Sequence, residues 1–263
     1  MNRKIITTAD GSKTIQIEDW NEQYHSIHGA LQEANHVFLK HGLLFYCAEF
    51  DSEYQNEYHS KYHTKPNQST SDESHKSESH TEYIRSTNEN ESIYILEIGF
   101  GTGLNAFLTL IEAEKLKLHI NYVGVEAYPV ASTDINQLNY VELISKAHKT
   151  EFENMHQVSW EVSHQITPNF QLEKQEKFFK AIEAEDAFHI IYFDAFGARV
   201  QPELWTEDIF TIMFKALKSN GILVTYSAKG SVRRAMQAVG FTVERLTGPP
   251  GKREMLRARK KNS

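Results

Sequence analysis

A glycine-rich turn between an apolar strand and a long helix constrains the fold of this chain more than any other feature. Residues 93–98 are apolar, the turn reads Gly99-Phe100-Gly101-Thr102-Gly103, and residues 104–118 carry apolar side chains at helical spacing. Glycines let a backbone turn tightly and approach a ligand closely, and the first turn of a helix offers unpaired N–H groups. We therefore expect residues 93–118 to form a strand, a ligand-binding loop and a helix.

The alternation of strands and helices continues along the chain, which predicts a doubly wound α/β fold with a mainly parallel sheet. Residues 241–246 and 254–258 are joined by a link too short for a crossover, so they must form an antiparallel closing hairpin. Residues 170–185 fit neither a helix nor a strand clearly. The other predicted strands are 122–125, 158–162, 189–193 and 222–226, and the predicted helices are 131–149, 203–217 and 232–239.

A small N-terminal extension and a polar insertion precede the α/β domain, which we assign to residues 92–263. Residues 51–91 contain Ile84 as their only aliphatic side chain and cannot bury enough apolar surface to fold, so we expect a disordered low-complexity insertion. Its His59 and His63 are interpreted as solvated loop residues, and no metal site is predicted. The extension, residues 1–50, is predicted to contain a hairpin at 5–17 turning at Asp10-Gly11, a helix at 30–39 that stops at Gly42, and a strand at 43–50.

The spacing of the turn glycines predicts the ligand. Gly99, Gly101 and Gly103 follow the pattern G-x-G-x-G after Glu97, which favours S-adenosylmethionine (SAM) over a dinucleotide, because SAM has no pyrophosphate for a further glycine to hold. Glu126 ends the next strand, where a carboxylate can accept hydrogen bonds from both ribose hydroxyls. Glu97 is expected near the methionine amino group, although it could also be a plain strand residue, as Glu126 could be a surface acid.

Asp194 is the predicted catalytic residue. It ends the strand at 189–193, and ligands in an open α/β sheet lie beyond the carboxyl ends of the strands. A carboxylate there can accept the N–H of an amine, aim the nitrogen lone pair at a methyl group and receive the proton. The alternative is a loop or helix-capping aspartate.

Basic residues are concentrated at the C-terminal end. Residues 229–263 hold ten Lys or Arg and two Glu, although the whole chain has a net charge of −7. We predict that Lys229, Arg233, Lys252 and Arg253 bind substrate phosphates. A solvated basic tail is an equal alternative for residues 257–261. Trp205 could stack on a base or pack in the core.

Cysteine content and hydropathy bear on the compartment. Cys47 is the only cysteine, so neither a disulfide framework nor a cysteine-based metal site is predicted. No run approaches the roughly 18 apolar residues of a membrane span, and residues 1–10 lack the apolar centre of a signal peptide. We expect a cytoplasmic protein without membrane partners.

Several runs of sequence resemble one family. The runs YFDAF, QPELW, GILVTYSAKGSVRR and GPPGKREMLRA, together with EIGFGTGLN and GALQEANHVFL, resemble the methyltransferase half of bacterial MnmC and its stand-alone relatives, often called MnmD. The resemblance covers residues 20–50 and 92–259. It also marks Glu33 and Glu254 as motif positions without fixing their roles.

The resemblance implies a fold, an activity and partners. The fold is that of class I SAM-dependent methyltransferases, with a Rossmann-like sheet, and the implied reaction is methylation of the 5-aminomethyl group on wobble uridine 34 of tRNA, which gives 5-methylaminomethyl(-2-thio)uridine. It places the SAM loop at Gly99, Gly101 and Gly103 and the site acid at Asp194. The FAD-dependent oxidase half of MnmC does not fit in 263 residues, so a separate enzyme is expected to supply the aminomethyl precursor. A methyltransferase for another RNA or a small-molecule amine is the alternative function, and a non-catalytic binding module is disfavoured.

Overall fold

The structure, a computed structural model, describes residues 2–50 and 92–262. The predicted disordered insertion at 51–91 and the histidines His59 and His63 lie outside the described residues. Within the described ranges, no helix combines the length and apolar content that a membrane span requires.

The N-terminal extension begins with a three-stranded antiparallel sheet of β1 (Arg3–Thr7), β2 (Lys13–Ile17) and β3 (Glu22–Gln23). The predicted hairpin is confirmed, because β1 pairs with β2 throughout. Asp10 stabilises the turn by accepting hydrogen bonds from the hydroxyls of Thr8 and Ser12, and its second oxygen accepts one from the backbone N–H of Gln32 at 3.1 Å. This last bond ties the hairpin to the helical segment that follows.

The helical segment runs without interruption from residue 30 to residue 50. It consists of α1 (Ala30–Ala34), a π-helical stretch (Asn35–Leu44) and α2 (Phe45–Phe50). The predictions of a stop at Gly42 and a strand at 43–50 were therefore wrong. Gly42 serves another purpose: a Cβ atom there would lie 3.0 Å from the ring of Tyr192 and 3.2 Å from Val224, so glycine lets the helix approach the sheet closely.

The central sheet has eight strands in the order β10-β11-β9-β8-β4-β5-β7-β6. Strands β9, β8, β4, β5 and β7 pair in parallel, whereas β11 is antiparallel to both β9 and β10, and β6 is antiparallel to β7. The predicted parallel sheet with an antiparallel closing hairpin is confirmed. The strands are β4 (Ile93–Ile98), β5 (Ile120–Glu126), β6 (Ser163–Thr167), β7 (Phe170–Glu176), β8 (Phe188–Phe193), β9 (Leu217–Thr225), β10 (Thr242–Thr247) and β11 (Glu254–Arg259).

Helices cover both faces of this sheet, as a doubly wound fold requires. One buried cluster includes Ile95, Phe107 and Phe38, and the other includes Ile98, Phe210 and Met236, so successive residues of β4 are buried on opposite faces. The helices are α3 (Leu104–Leu116), α4 (Ser132–Ile135), α5 (Tyr140–Ile144), α6 (Lys149–Gln157), α7 (Glu207–Ala216) and α8 (Gly230–Ala238), with short 3-10 turns at Glu18–Trp20, Lys146–His148, Phe179–Ala181 and Pro202–Trp205.

Two predictions between β5 and β7 were wrong in detail. The helix predicted at 131–149 is divided by breaks at 136–139 and at Ser145, whose backbone is extended. In the first break, the side-chain amide of Asn139 accepts from the N–H of Lys13 and donates to the carbonyl of Gly11 in the N-terminal hairpin. The strand predicted at 158–162 is a turn, in which Glu161 has φ +60 and Val162 is 51% exposed. The strand in this region is β6, and β7 resolves the ambiguity of residues 170–185.

Candidate active site

The glycine turn and Asp194 meet at one edge of the sheet, where the parallel strands end. Strands β4 and β8 are neighbours, and the N–H of Asp194 donates to the carbonyl of Ile98 at 2.9 Å. Gly99 has φ +92, and a Cβ atom there would lie 2.7 Å from the carbonyl oxygen of Asp194. The sequence-predicted loop and the predicted acid are therefore in direct contact.

The rest of the glycine turn connects this contact to helix α3. Gly101 has φ +50 and lies under the ring of Tyr24, which a Cβ atom would approach to 3.0 Å. Gly103 is the residue before α3 and packs against His156 and Phe100. The turn thus brings the start of a helix to the carboxyl edge of the sheet, while its own N–H groups at Gly99, Phe100 and Gly103 donate to the carbonyls of Val125 and Phe100.

Glu126 lies at the end of β5, as predicted, and its carboxylate faces the glycine turn. It accepts hydrogen bonds from the N–H groups of Gly101, at 3.1 Å, and Tyr128, at 2.9 Å. Burial raises the pKa of this carboxyl, an effect that the backbone hydrogen bonds oppose. Glu126 also lines the cavity described below, in the position expected for a ribose-binding acid.

Glu97 is connected to Asp194 by an asparagine that sequence reasoning missed. The side-chain Nδ2 of Asn105, in the first turn of α3, donates to Glu97 Oε1 and to Asp194 Oδ2, both at 2.8 Å. Glu97 is only 1% exposed, and burial raises its pKa well above the usual range. The run EIGFGTGLN contains Asn105 two residues after Gly103, so its spacing could have indicated this role.

Asp194 has the electrostatic environment of a proton acceptor at neutral pH. Burial and the nearby carboxylate of Glu33 raise its pKa to about 7, while the hydrogen bond from Asn105 and the charge of Lys252 act in the opposite direction. A carboxyl with this pKa is partly ionised at neutral pH and can exchange a proton with an amine.

A cavity of about 480 Å³ opens beside these groups, within the range of about 300–1,000 Å³ typical of small-molecule sites. Gly99, Gly101 and Glu126 line one part of it, and Asp194 and Tyr226 line another. The N-terminal extension forms a further wall with Arg3, Trp20, Glu22 and Tyr24.

The exposed aromatic residues at this cavity were not predicted. Tyr128 and Phe178 are 50% and 54% exposed, and their rings meet edge to face at 5.9 Å. Arg3 connects two residues on this side of the cavity, because its guanidinium donates to the carbonyl of Tyr128 at 3.3 Å and to the hydroxyl of Tyr24 at 3.4 Å. No spacing pattern in the sequence links Arg3 to residues more than a hundred positions later, so only the fold reveals this wall.

The residues present fit SAM. Gly99 and Gly101 carry no side chain and line the cavity beside the Glu126 carboxylate, so there is open space and a hydrogen-bond acceptor where the cofactor would lie. The turn at Gly99–Gly103 and the carboxylate of Glu126 would hold the cofactor, with Glu97 behind the turn rather than on the cavity wall. Asp194 would lie beside its reactive end.

The four cations predicted to bind phosphates have two different environments in the structure. Lys229 and Arg253 are exposed and Arg233 is half-buried, and in the described part of the chain none of the three lines the cavity. Lys252 points inward, with its ammonium nitrogen 2.5 Å from Glu33 Oε2. Trp205 is 5% exposed and its indole N–H donates to the carbonyl of Phe196, so it belongs to the core. The tryptophan that lines the cavity is Trp20.

A glycine turn at the carboxyl edge of a mainly parallel sheet is the arrangement found in the Rossmann-like fold of SAM-dependent methyltransferases. Residues 139–261 match a family model described as S-adenosyl-L-methionine-dependent methyltransferase. The chain is similar to the MnmC proteins, as the resemblance of its motifs predicted.

Two relatives and one solved structure illustrate this similarity. The tRNA 5-methylaminomethyl-2-thiouridine biosynthesis bifunctional protein MnmC of Actinobacillus pleuropneumoniae is 28% identical over 192 residues, which are 65% of this chain and 28% of the relative. The protein of the same name from Aromatoleum aromaticum is 31% identical over 181 residues, or 64% of this chain and 28% of the relative. The chain therefore spans well under half the length of these relatives.

The crystal structure of MnmC2 from Aquifex aeolicus superimposes with a TM-score of 0.71 at 22% identity, covering 100% of this chain and 72% of that one. At this level of identity, the similarity bears on the fold, which the two proteins share.

Proposed function

We propose that this protein methylates the exocyclic amine of 5-aminomethyl(-2-thio)uridine at the wobble position of tRNA. The observation that carries this proposal is the contact between the glycine turn and Asp194, since it puts a carboxylate with a pKa of about 7 beside the place where SAM would bind. The names of the relatives, which refer to tRNA 5-methylaminomethyl-2-thiouridine biosynthesis, supply the substrate class.

The residues of the site support attack by an amine. When bound, SAM supplies an electrophilic methyl group to the amine nitrogen, and its sulfonium sulfur leaves as a neutral thioether. Asp194 accepts an N–H hydrogen bond, aims the nitrogen lone pair and takes the proton, while Asn105 fixes the orientation of the carboxylate. Phe196 and Tyr226 line the same part of the cavity and limit access of water.

Charge and topology support a polyanionic substrate. Lys229 and Arg233 follow β9, and Arg253 lies in the loop between β10 and β11, so all three are at the edge of the sheet where the cavity opens. These side chains can bind tRNA phosphates and orient the wobble base toward Asp194.

The proposal has three further parts. A separate enzyme supplies the aminomethyl precursor, and the reaction takes place in the cytoplasm, where tRNA is modified. Residues 92–263 act as the methyltransferase domain, and residues 1–50 act as an extension that closes one side of the cofactor cavity.

Methyl transfer in vitro tests the proposal. The purified protein is incubated with methyl-labelled SAM and with tRNA that carries either 5-aminomethyl-2-thiouridine or unmodified uridine at the wobble position. We expect label in the first tRNA alone, recovered as 5-methylaminomethyl-2-thiouridine after nuclease digestion. Labelling of unmodified tRNA or of a small amine, without labelling of the aminomethyl tRNA, would contradict it.

A further inference from the structure

A buried glutamate and a partly exposed lysine form an ion pair whose charges act on Asp194. Lys252 Nζ is 2.5 Å from Glu33 Oε2, and the Glu33 side chain is 8% exposed. The same ammonium lies 3.7 Å from the ring centroid of Tyr226, and Tyr226 lines the cavity beside Asp194. Helix α1, the end of β8 and the β10–β11 loop thus bring three charged groups together from distant parts of the sequence.

The charges in this cluster do not balance. Asp194 and Glu33 supply two carboxylates, whereas Lys252 supplies one ammonium, and Glu33 and Lys252 act on Asp194 in opposite directions. The pKa of the neighbouring Glu97 is raised well above its usual range by burial, which favours its neutral form. Burial favours the neutral forms of four further groups around the cluster, Tyr122, Tyr140, Tyr226 and His25. Carboxylates also act on members of this surrounding shell: Glu22 on Tyr226, Glu126 on Glu97, and Asp10 on His25 and Tyr140.

We propose that Glu33 and Lys252 are positioning residues for Asp194: Glu33 occupies the Lys252 ammonium, so that the Asp194 carboxylate stays available for the ammonium form of the substrate amine. This inference rests on the proposed function, because it assigns an amine as the substrate. With its charge offset by Glu33, the Lys252 ammonium does not compete with the substrate cation for the Asp194 carboxylate.

The proton balance follows from this arrangement. The substrate ammonium gives one proton to the Asp194 carboxylate and becomes a neutral amine with a free lone pair. The nitrogen then forms a bond to the methyl carbon as the sulfur–methyl bond breaks, and the product is a secondary ammonium ion. Asp194 later releases its proton to water.

Three variants test the inference by the sign of their effects. Glu33→Gln frees Lys252 to act on Asp194, so the pKa of Asp194 falls by about 1 or more. Lys252→Met leaves Glu33 unbalanced, so the pKa of Asp194 rises by a similar amount. The double variant removes both charges and returns the pKa to near the wild-type value. The pKa is measured by NMR titration of ¹³C-carboxyl-labelled aspartate in the cofactor-free protein, with Asp194→Asn identifying the signal.

Glu22→Gln provides a matched control. Glu22 also lines the cavity and forms an ion pair, at 2.6 Å with Arg199, but its charge is not among those acting on Asp194. We expect the control to leave the Asp194 titration unchanged. In methyl transfer to aminomethyl tRNA, Glu33→Gln should lower kcat/KM at neutral pH by about tenfold or more and move the acid limb of its pH profile downward. Glu33→Asp should restore both, and the affinity for SAM should stay as in the wild type.

The outcomes separate this inference from the proposed function. An Asp194 titration that is the same in Glu33→Gln, Lys252→Met and the wild type would overturn the inference even if the wild type methylates tRNA. Opposite pKa shifts in the two single variants, with a wild type that does not methylate aminomethyl tRNA, would overturn the proposed function and leave the electrostatic role of the pair intact. If Glu33→Gln fails to fold by thermal unfolding, Lys252→Met and the double variant still give the required comparison.

Discussion

Asp194, the proposed proton acceptor, is expected to reduce the stability of the folded protein at neutral pH. Its pKa in the folded chain is about 7, against 3.8 for an ordinary aspartate, so the folded state keeps a proton over a pH range in which the unfolded state has lost it. The free energy of unfolding therefore falls as pH rises through this interval. Above about pH 7, the folded state bears the full cost of ionising the buried Asp194 carboxyl.

Replacement of this carboxylate has two predicted effects. Asp194→Asn removes the cost of a buried charge and keeps an acceptor for Asn105, so at about pH 8 it should raise the free energy of unfolding by roughly 2 kcal/mol or more. It should also reduce methyl transfer at least about a hundredfold. Urea unfolding and initial rates measure the two effects.

Glu203→Gln serves as the control, because Glu203 is an exposed acid on the same cavity. An Asp194→Asn protein that is less stable than the wild type would contradict the predicted cost of the buried charge.

The pH dependence of the reaction follows from the same group. Because Asp194 acts as a carboxylate, kcat/KM should rise with pH and level off above an apparent pKa near 7, with the opposite sign to the stability effect. Initial rates measured from about pH 5.5 to about pH 8.5 test this expectation. A rate that falls over this interval would exclude Asp194 as the proton acceptor.

Gly99 is a position at which even the methyl side chain of alanine would collide with the neighbouring backbone. Gly99→Ala would place its Cβ atom 2.7 Å from the Asp194 carbonyl at a φ of +92, so we expect a loss of about 2 kcal/mol in stability and a weakened affinity for SAM. Gly197→Ala is the matched control on the same cavity, since the nearest atom to its added Cβ would be the Tyr226 hydroxyl at 3.6 Å. Calorimetric titration with SAM and urea unfolding compare the two, and equal effects would contradict the argument.

At the scale of single residues, the sequence predicted the groups that belong to a local pattern. Gly99, Glu126 and Asp194 each end or follow an apolar strand, and strand ends meet at one edge of a parallel sheet. The inward direction of Lys252 could not be predicted, because its partner Glu33 is more than two hundred residues away in the sequence. A lysine in a basic run is expected at the surface unless a buried carboxylate meets it.

At the scale of elements, the main errors concern apolar runs whose environment is set by distant contacts. Residues 43–50 have the length and composition of a strand, but they continue a helix whose preceding π-helical stretch packs on β8 and β9. A short apolar run does not distinguish a buried strand from a buried helix, and here tertiary packing decides. Strands β4, β5 and β8 were predicted more accurately, because a glycine or an acid marks the end of each, whereas β6 and β7 were not predicted.

The N-terminal sheet is an element with a predicted role in cofactor binding. Arg3 on β1 joins Tyr24 and Tyr128 across the cavity, so Arg3→Ala should weaken SAM binding by about threefold to tenfold, equal to the loss of one or two hydrogen bonds. Lys4→Ala, at an exposed position next to it on the same strand, is the control and should bind SAM as the wild type does. Calorimetry measures both, and equal affinities for all three proteins would rule out a binding role for this wall.

At the scale of the whole molecule, the charge at one edge of the sheet is opposite in sign to the net charge of the chain. The acidic total of −7 coexists with cations at the sheet edge where the cavity opens. Lys229→Ala and Arg253→Ala should each weaken tRNA binding and lower the slope of log K against log salt by about 1, without changing the affinity for SAM. Lys115→Ala, at the other end of α3 and so away from this edge, should leave tRNA binding unchanged. Identical salt slopes in all variants would place the tRNA elsewhere on the molecule.

The central claim is that the site between the glycine turn and Asp194 methylates the aminomethyl group of wobble uridine in tRNA. The most direct measurement is mass-spectrometric nucleoside analysis of tRNA from cells that lack this protein, complemented with the wild-type chain or with Asp194→Asn. We predict that 5-methylaminomethyl uridines disappear and 5-aminomethyl uridines accumulate without the protein, and that the wild type alone reverses the change. Unchanged nucleosides in the deleted cells, or full restoration by Asp194→Asn, would contradict the claim.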